Sequence, residues 1–270
     1  MMTELAWELF KIWLLLTLLA LSCCGVGWWY YRQRQGIDIG DDHNVQYRYH
    51  VQAIYDQAQT MVGYELLLRS FDQSSQRWQL PQRVATFPLT QMVAQLQRLQ
   101  ACLKPTVKII ALNLTVAQVA DFRALQFVQW SQSIIGPQRQ LVLEIDAVAI
   151  HVLTPWQKWR FKRQLQRLKM SGVAISIEDI DATKRTYQSL RPLLTEVDYL
   201  KFAAGAFKKS ADHWLDLTLG DWQRHAKRLG VTLVLAKVQD GTQDTLAQRL
   251  QIPYRQGYWY SAPQAPLGTL

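Results

Sequence analysis

The sequence predicts an α/β protein, namely a (β/α)8 barrel of the triosephosphate-isomerase type with an irregular antiparallel first strand, preceded by one N-terminal transmembrane helix. Two observations predict the barrel: short apolar runs recur through residues 48–270, and longer amphipathic stretches separate most of them. Near-continuous apolar runs are typical of strands that are buried on both faces. Their alternation with helices over about 220 residues is typical of a barrel. A third observation, a long uncharged segment near the start, predicts the membrane helix.

Residues 1–31 form the predicted membrane segment. Residues 12–31 contain no charged side chain, and a helix of that length matches a hydrocarbon core of about 30 Å. The aromatic residues 28–31 at its end suit the headgroup layer. Arg32 and Arg34 follow directly. This positive flank predicts a single-pass protein of the inner membrane whose remaining domain lies in the cytoplasm.

Two alternatives for this segment carry less weight. A cleaved secretory signal usually has a basic start and a shorter apolar stretch, whereas Glu4 and Glu8 precede the span here. A lipoprotein site at residues 20–23 (Ala-Leu-Ser-Cys) is a poor match. A single membrane anchor is therefore favoured.

After the span, residues 32–47 are polar and aperiodic, which is typical of a linker, and residues 48–270 form the barrel domain. The first two apolar runs, 49–55 and 62–69, lie too close together for a helix between them and predict a hairpin. The other predicted strands are residues 107–114, 141–146, 173–178, 197–202, 231–236 and 254–260. Predicted helices include residues 82–103, 116–135 and 156–170.

The formal net charge of +9 fits a nucleic-acid or an anionic-membrane partner. The segment Trp156–Met170 interleaves basic and aromatic residues. An ordinary barrel helix with a solvated basic face is favoured there over contact with lipid. No nucleic-acid recognition motif, Walker loop, dinucleotide fingerprint or nucleophile elbow is present, so nucleic acid is not the favoured partner. The three cysteines and five histidines lack the spacing of a zinc site.

Polar residues stand within or at the ends of several predicted strands, and in barrels chemistry gathers at the carboxyl ends of strands. A lone carboxylate there is usually a helix cap. Several acids, an amide and two lysines together are harder to explain in that way. The residues are Glu65, Asn113, Glu144, Glu178, Asp179, Lys201 and Lys237. The acids and the amide could hold a divalent cation, and the ammonium of Lys237 would oppose it.

These residues carry a family likeness. Over about Arg48 to Pro263 the chain resembles the EAL domain, the cyclic di-GMP phosphodiesterase family. The name-giving Glu-Ala-Leu corresponds to Glu65-Leu66-Leu67, with Arg69 following. The other matching motifs, in family order, are Gln52-Ala53-Ile54, LNLT with Asn113, LVLEI with Glu144, DYLK with Lys201 and QGYWYSAP with Gln256.

The resemblance implies a two-metal hydrolysis, in which two Mg²⁺ or Mn²⁺ ions activate a water that attacks a phosphodiester. It implies Lys201 as a residue that positions the water. The implied metal ligands are Glu65, Asn113, Glu144, Glu178 and Asp179. The implied contacts of cyclic di-GMP are Gln52, Glu65, Leu67, Arg69, Asn113, Asp179 and Gln256.

Four residues depart from the family pattern. Lys237 stands where the family has a metal-ligand glutamate, and Ala203 replaces an acid two residues after the lysine. In the family's Asp-Asp-Phe-Gly loop, Glu178 is one methylene longer than the aspartate. Asp181 replaces the glycine, so we expect backbone strain of about 1 kcal/mol there.

The exchange of Glu for Lys at position 237 changes the local charge by two units. Two unit charges 4 Å apart interact by about 4 kcal/mol at an effective dielectric of 20, so we expect Lys237 to disfavour a second metal. Its ammonium should pair with a nearby acid such as Glu144 or Asp179. Glu65, Lys201 and Lys237 would then be a vestigial catalytic set.

The sequence therefore predicts a membrane-anchored, catalytically degenerate EAL-domain regulator in cyclic di-GMP signalling. It would bind cyclic di-GMP without hydrolysis, or dock a protein partner, with a homodimer as a further candidate assembly. No cofactor would be required, and Mg²⁺ or Mn²⁺ would matter only for residual activity. The alternative is a weakly active phosphodiesterase that holds one metal firmly.

Overall fold

The computed structural model describes residues 2–34, 45–81, 87–207 and 216–266. Helix α1 spans Met2–Arg34. Within it, Ala6–Trp28 has a mean hydropathy of 2.1 and no buried residue, so it is long and apolar enough to cross a membrane by length and composition. The helix continues into the predicted linker, of which residues 35–44 lie outside the described residues.

Eight strands close into a barrel, which confirms the predicted fold class. The strands are β1 Tyr47–Tyr55, β2 Met61–Asp72, β4 Ile109–Asn113, β5 Gln140–Asp146, β6 Ala174–Ile180, β7 Tyr199–Ala203, β8 Thr232–Ala236 and β9 Tyr254–Arg255. They stand around the ring in the order of the chain, and the pairing of β1 with both β2 and β9 closes the ring. A ninth strand, β3 Arg77–Gln79, pairs only with β2.

The first strand is irregular in the way that the sequence predicts. Strand β1 is antiparallel to both of its neighbours, β2 and β9, whereas the other neighbours in the ring run parallel. The short connection between β1 and β2 forces this direction, because a parallel pair needs a long crossover. Strand β3 was not predicted, since Arg-Trp-Gln is too short and too polar to form an apolar run.

Helices cover the outside of the barrel. They are α2 Leu89–Gln100, α3 Val116–Ala120, α4 Ala124–Ile135, α5 Ala147–His151, α6 Pro155–Lys169, α7 Lys184–Leu190, α8 Leu219–Leu229 and α9 Gly241–Arg249, with 3₁₀ turns at Leu194–Glu196 and Ala204–Phe207. The predicted helix 116–135 is two helices. The carboxylate of Asp121 accepts the backbone N–H of Arg123 and interrupts the helical pattern there.

The start of α2 also differs from the prediction of residues 82–103, of which 82–86 lie outside the described residues. The helix begins at Leu89, directly after Pro88, whose extended backbone precedes the first turn. Helix α6 agrees well with the predicted 156–170. There the hydroxyl of Thr154 accepts from the N–H of Gln157 and the Gln157 side chain accepts from the N–H of Thr154, a reciprocal cap that fixes the first turn.

The interior of the barrel has two layers. Its lower half is an apolar cluster formed by Ile54, Ala111, Val142 and Ala174. Side chains of a strand alternate between faces, so the inward-facing residue two positions further along β4, β5 and β6 lies directly above this cluster. Those three residues are Asn113, Glu144 and Ser176. The sequence thus places a polar layer at the mouth, over a packed apolar base.

Gly257 joins the loops that follow β8 and β9. Its φ is +153°, and a Cβ at this position would lie 2.2 Å from both the N and the O of Val238. Val238 donates its N–H to the Gln256 carbonyl at 3.1 Å, and its own carbonyl accepts from the Trp259 N–H at 3.0 Å. Only a glycine permits this contact, which sets Lys237 beside the mouth.

Candidate functional site

A buried lysine lies among three carboxylates at the barrel mouth. The Nζ atom of Lys201 on β7 is 2.8 Å from Glu65 Oε2, 2.8 Å from Glu144 Oε2 and 3.5 Å from Glu178 Oε2. We call Glu65, Glu144, Glu178 and Lys201 the carboxylate cluster. The four come from strands β2, β5, β6 and β7, so closure of the barrel brings together residues that lie far apart along the chain.

Two amides hold Glu65 in place. Gln256 donates from Nε2 to Glu65 Oε2 at 2.6 Å and to Gln52 Oε1 at 3.1 Å. Asn113 donates from Nδ2 to Glu65 Oε1 at 2.9 Å. Gln52 is held in turn, because its Nε2 donates to the backbone carbonyl of Ser261 at 3.0 Å. Both carboxylate oxygens of Glu65 are therefore fixed by donors.

These donors decide the ionisation of Glu65. Burial alone would raise its pKa, but the Lys201 ammonium and the hydrogen bonds from Lys201, Asn113 and Gln256 outweigh burial and lower the pKa to about 2. For Lys201, burial lowers the pKa, but the charges of the three glutamates raise it well above its ordinary value. Glu65 is thus a carboxylate and Lys201 an ammonium at neutral pH.

The other two acids behave differently. Burial raises the pKa of Glu144 well above its ordinary value, and burial raises the pKa of Glu178 to about 7. The physical cause is an excess of negative charge in a buried space. Three ionised carboxylates and one ammonium carry a net charge of −2, so the cluster would gain from a proton or from a divalent cation.

The carboxylate cluster fits one divalent cation. Glu65, Glu144 and Glu178 offer oxygen atoms that all lie within 4.8 Å of one another, and hard cations such as Mg²⁺ and Mn²⁺ take oxygen ligands. The Oδ1 atom of Asn113 accepts no hydrogen bond within the described residues and lies beside Glu65. A bound ion would supply Lewis-acid polarisation of a phosphodiester oxygen.

Asp179 lies outside this cluster. Its Oδ1 accepts a hydrogen bond from Lys237 Nζ at 2.5 Å, and both side chains are about half exposed at the mouth. Of the two acids that the sequence offered to Lys237, the structure therefore selects Asp179, since Glu144 bonds to Lys201 instead. The residues at this position do not fit a second cation, because an ammonium already occupies the carboxylate's coordination space.

The expected strain at Asp181 is absent, and this prediction is wrong. The described residues with positive φ include Asp179 at +51° and Lys237 at +55°, but not Asp181. The Oδ1 atom of Asp181 instead accepts the backbone N–H of Thr183 at 2.9 Å at the start of α7. The left-handed backbone thus belongs to the two residues of the ion pair.

The remaining candidate ligand contacts follow β2 toward the mouth. Leu67 and Arg69 are half-buried and lie two and four residues beyond Glu65, on the same face of the strand. Arg69 donates from Nη1 to the carbonyl of Leu68 at 2.9 Å. The structure therefore brings Gln52, Glu65, Asn113 and Gln256 into one bonded network, with Leu67 and Arg69 above it.

Sequence reasoning missed several residues of this region. Ser261 binds β1 through its carbonyl and through its hydroxyl, which accepts the N–H of Ala53 at 3.3 Å. Its place in QGYWYSAP, close after Gln256, was the available signal. Arg48, His50 and Trp78 also form a contact group beside Arg69, and no motif pointed to them.

Comparison with known proteins agrees with this geometry. A model of the EAL domain matches residues 41–263. The PaMucR phosphodiesterase, solved as a cyclic di-GMP complex, is 20% identical, has a TM-score of 0.59, and is matched over 82% of this chain and 98% of that chain. No curated protein matches the chain.

Two further solved structures are similar. The Bacillus subtilis YkuI protein, with an EAL domain and in complex with its substrate cyclic di-GMP and calcium, is 20% identical with a TM-score of 0.63, over 81% of this chain. This chain spans 56% of that protein. The FimX EAL domain from Pseudomonas aeruginosa, bound to cyclic di-GMP, is 14% identical with a TM-score of 0.59, over 81% of this chain and 90% of that chain.

At such low identity the structural likeness shows the shared fold, and the family rests on the match of the sequence itself. That match covers most of the chain and includes every strand of the barrel. It also includes the acids, amides and lysine that converge at the mouth. The chain belongs to the EAL-domain family.

Proposed function

We propose that this protein is a membrane-anchored EAL-domain regulator that binds cyclic di-GMP at the barrel mouth without hydrolysing it at a useful rate. The observation that carries the proposal is the bond from Lys237 Nζ to Asp179 Oδ1 at 2.5 Å. It puts a cation where the family resemblance implies a metal ligand, and it engages the acid that would be the partner ligand.

Electrostatics supports the loss of hydrolysis. In two-metal sites the ions are about 3.5–4 Å apart and stabilise both the attacking and the leaving oxygen. An ammonium at about 4 Å opposes a unit charge by about 4 kcal/mol at an effective dielectric of 20, and a divalent ion more strongly. Lys237 therefore disfavours a second ion beside Asp179 by orders of magnitude in affinity.

The ligand side of the site is retained. Gln256 donates to both Gln52 and Glu65, so the two glutamines are held in fixed positions. Arg69 has a planar fork of donors that suits a phosphate. The similar solved structures of PaMucR, YkuI and FimX hold cyclic di-GMP. These features support binding of the same ligand class by this chain.

A second candidate function is a slow phosphodiesterase with one metal. The observation that favours it is the carboxylate cluster, whose three acids remain within 4.8 Å of one another. Glu65, Asn113, Glu144 and Glu178 would hold the ion, and Lys201 would orient a water. The absence of a partner ion at Asp179 would keep the turnover low.

Helix α1 supports the membrane anchor. The 23 residues Ala6–Trp28 are long and apolar enough to span a bilayer, and the arginines at positions 32 and 34 favour an orientation with the barrel on the cytoplasmic side of the inner membrane. Fractionation of cells and protease protection of the barrel domain test this orientation. Recovery of the protein in the soluble fraction, or cleavage of the barrel from outside, would contradict it.

One assay separates the functions. The full chain in nanodiscs is incubated with cyclic di-GMP and Mn²⁺, and both equilibrium binding and the linear product are measured. Binding without product is the expected result, and steady product would establish the phosphodiesterase instead. If neither binding nor product is found, protein docking remains as the proposed role, with light scattering to test for a homodimer.

A further inference from the structure

Two arginines face each other across the hairpin that begins the barrel. Arg48 on β1 and Arg69 on β2 are direct partners in the antiparallel register. The register is unbroken from this pair to Gln52 and Glu65, which are also partners. Because side chains alternate along a strand, Arg48 and Arg69 emerge on the same face as Gln52 and Glu65, the face that lines the barrel mouth.

Such a pair is unfavourable without a counter-charge. Cβ atoms of direct partners are about 5 Å apart, and like charges at that spacing destabilise a sheet. Within the described residues no acidic side chain is bonded to either arginine. In this part of the chain Arg69 donates one hydrogen bond, to the carbonyl of Leu68, and Arg48 lies with its guanidinium 3.9 Å from the centre of the Trp78 ring. The charge of Glu65 acts on Arg69 without a direct bond, so the fold holds the two positive charges together with no carboxylate bonded to either.

His50 lies beside the pair and adds a donor. Arg48 donates from Nε to His50 Nε2 at 3.1 Å, so the imidazole accepts at Nε2 and carries its proton on Nδ1. Burial, together with the charges of Arg48 and Arg69, lowers the pKa of His50 to about 4. The ring is neutral at pH 7, and its Nδ1–H is available.

We infer that Arg48, Arg69 and His50 form an anion clamp that binds a phosphate group of the ligand, away from the carboxylate cluster. The clamp lies four strand residues beyond Glu65, about 13 Å along the backbone. Guanidinium forks match phosphate oxygens in pairs. The identity of the ligand rests on the proposed function. Arg69 is already implied by the family motif, whereas Arg48 and His50 are assigned by the register and contacts of this chain.

Strand β3 explains how the clamp is pre-organised. It adds Trp78 to the edge of β2, where Trp78 pairs with Phe71 in the register, and their rings are 5.3 Å apart. The indole then supports the Arg48 guanidinium from one side. A side chain that is already fixed loses little conformational entropy when it binds. The extra strand, which closure of the barrel does not need, thus positions a ligand-binding residue.

The test uses the full chain in nanodiscs and isothermal titration with cyclic di-GMP. Arg48→Gln should weaken binding by about 10- to 100-fold, the effect of losing a charge-assisted contact. The matched control is Arg77→Gln, an exposed arginine on the neighbouring strand β3, which should change the affinity less than about twofold. Equal affinities for Arg48→Gln and the unchanged protein would overturn the clamp and leave the proposed function intact.

A second measurement is independent of cyclic di-GMP. In metal-free buffer, sodium pyrophosphate should raise the melting temperature above that in sodium chloride of equal ionic strength. This rise should persist in Arg77→Gln and largely vanish in Arg48→Gln. If cyclic di-GMP fails to bind while this pattern holds, the clamp stands and the proposed function falls. If pyrophosphate has no effect on the unchanged protein, the clamp is refuted.

Arg48→Lys covers the case in which Arg48→Gln does not fold. It retains the charge and the aliphatic stem but loses the planar fork. A folded Arg48→Lys protein should bind cyclic di-GMP several-fold more weakly than the unchanged protein, with a smaller response to pyrophosphate. Unchanged binding in this variant would show that the fork of Arg48 does not contact the ligand.

Discussion

Lys237 and Asp179 are joined across the barrel mouth, and each has a left-handed backbone. The Nζ–Oδ1 distance is 2.5 Å, and the φ angles are +55° and +51°. A non-glycine residue in this region costs about 1–2 kcal/mol, while an exposed ion pair contributes about 0–1 kcal/mol. The ion pair alone does not offset the strain, so the surrounding loops, including the Gly257–Val238 contact, hold both residues in place.

The first prediction concerns metal affinity. Lys237→Glu should create a second divalent site beside Asp179 and raise Mn²⁺ affinity there by at least about tenfold, because the local charge changes by two units. Glutamate and lysine have similar backbone requirements, so the left-handed φ adds no difference between them. Titration of the full chain followed by Mn²⁺ electron paramagnetic resonance measures the number and strength of the sites.

Lys227→Glu is the matched control, since Lys227 is exposed in the last turn of α8, away from the mouth. This substitution makes the same charge change and should leave the number and the affinity of the Mn²⁺ sites at the barrel mouth unaltered. No gain of Mn²⁺ affinity in Lys237→Glu would mean that this substitution is not what disables the second metal position.

The second prediction concerns the buried lysine. Lys201→Met removes the only ammonium from the carboxylate cluster and leaves Glu65, Glu144 and Glu178 uncompensated. Loss of one partner of a buried ion pair costs about 3–5 kcal/mol of unfolding free energy. Urea unfolding at pH 8 in the presence of a chelator should show this loss, and Mn²⁺ should restore more stability to the variant than to the unchanged protein.

Lys227→Met, on the surface of α8, should alter the unfolding free energy by no more than about 0.5 kcal/mol. The contacts at 2.8 Å predict that the buried ion pairs stabilise the folded state. Unfolding of Lys201→Met at the same urea concentration as the unchanged protein would contradict this.

The third prediction concerns pH. The folded-state pKa of His50, about 4, lies below its ordinary value of 6.5, so the unfolded chain binds the proton first as the pH falls. His50 should therefore contribute full stability above pH 6.5 and lose it progressively down to about pH 4. Because the ring is partly exposed, we expect a loss of about 1 kcal/mol rather than the full linkage value.

His50→Gln tests this, since glutamine does not titrate. Urea unfolding from pH 7 to pH 4 should show a shallower acid loss in the variant than in the unchanged protein. Parallel pH profiles for the two proteins would show that the environment of His50 does not disfavour its protonation.

The fourth prediction concerns the loop contact at the mouth. Gly257→Ala would force a Cβ to 2.2 Å from the backbone of Val238, so the loops that carry Lys237 and Gln256 would have to separate. We expect a loss of about 3 kcal/mol or more in unfolding free energy. Gly205→Ala is the control, because nothing lies within 4 Å of its added Cβ, and it should be nearly neutral. Equal stability of the two variants in urea would contradict the role of Gly257.

The alternation of apolar runs with amphipathic stretches predicted the barrel well, because its strands are buried on both faces and its helices on one side only. Each of the eight predicted runs overlaps a strand, although in residues 254–260 only Tyr254–Arg255 is strand. The antiparallel start followed from the short gap between the first two runs. The incorrect predictions of secondary structure occurred where the periodic pattern of apolar residues carries no information. The side chain of Asp121 interrupts a helix that is continuous by pattern, and β3 has a single aromatic residue in three.

The candidate site was also predictable from the sequence only in part. Glu65, Asn113, Glu144 and Lys201 lie within or at the ends of predicted strands, so the barrel fold already predicted that they meet at one mouth. Their ionisation did not follow from sequence, since the low pKa of Glu65 and the raised pKa of Glu178 depend on which donors reach which oxygens.

The sequence by itself determined the closed barrel, the apolar N-terminal helix and the excess of acids over lysines at the mouth. Only the tertiary structure decided that Lys201 bonds to the glutamates of the carboxylate cluster, that Lys237 pairs with Asp179, and that Arg48 lies opposite Arg69. The physical reason is that alternation specifies the direction of a side chain within a strand. Which side chain it contacts also depends on the backbone angles beyond the strand ends and on the pairing of strands that are distant in sequence. Both are fixed only when the whole sheet is closed.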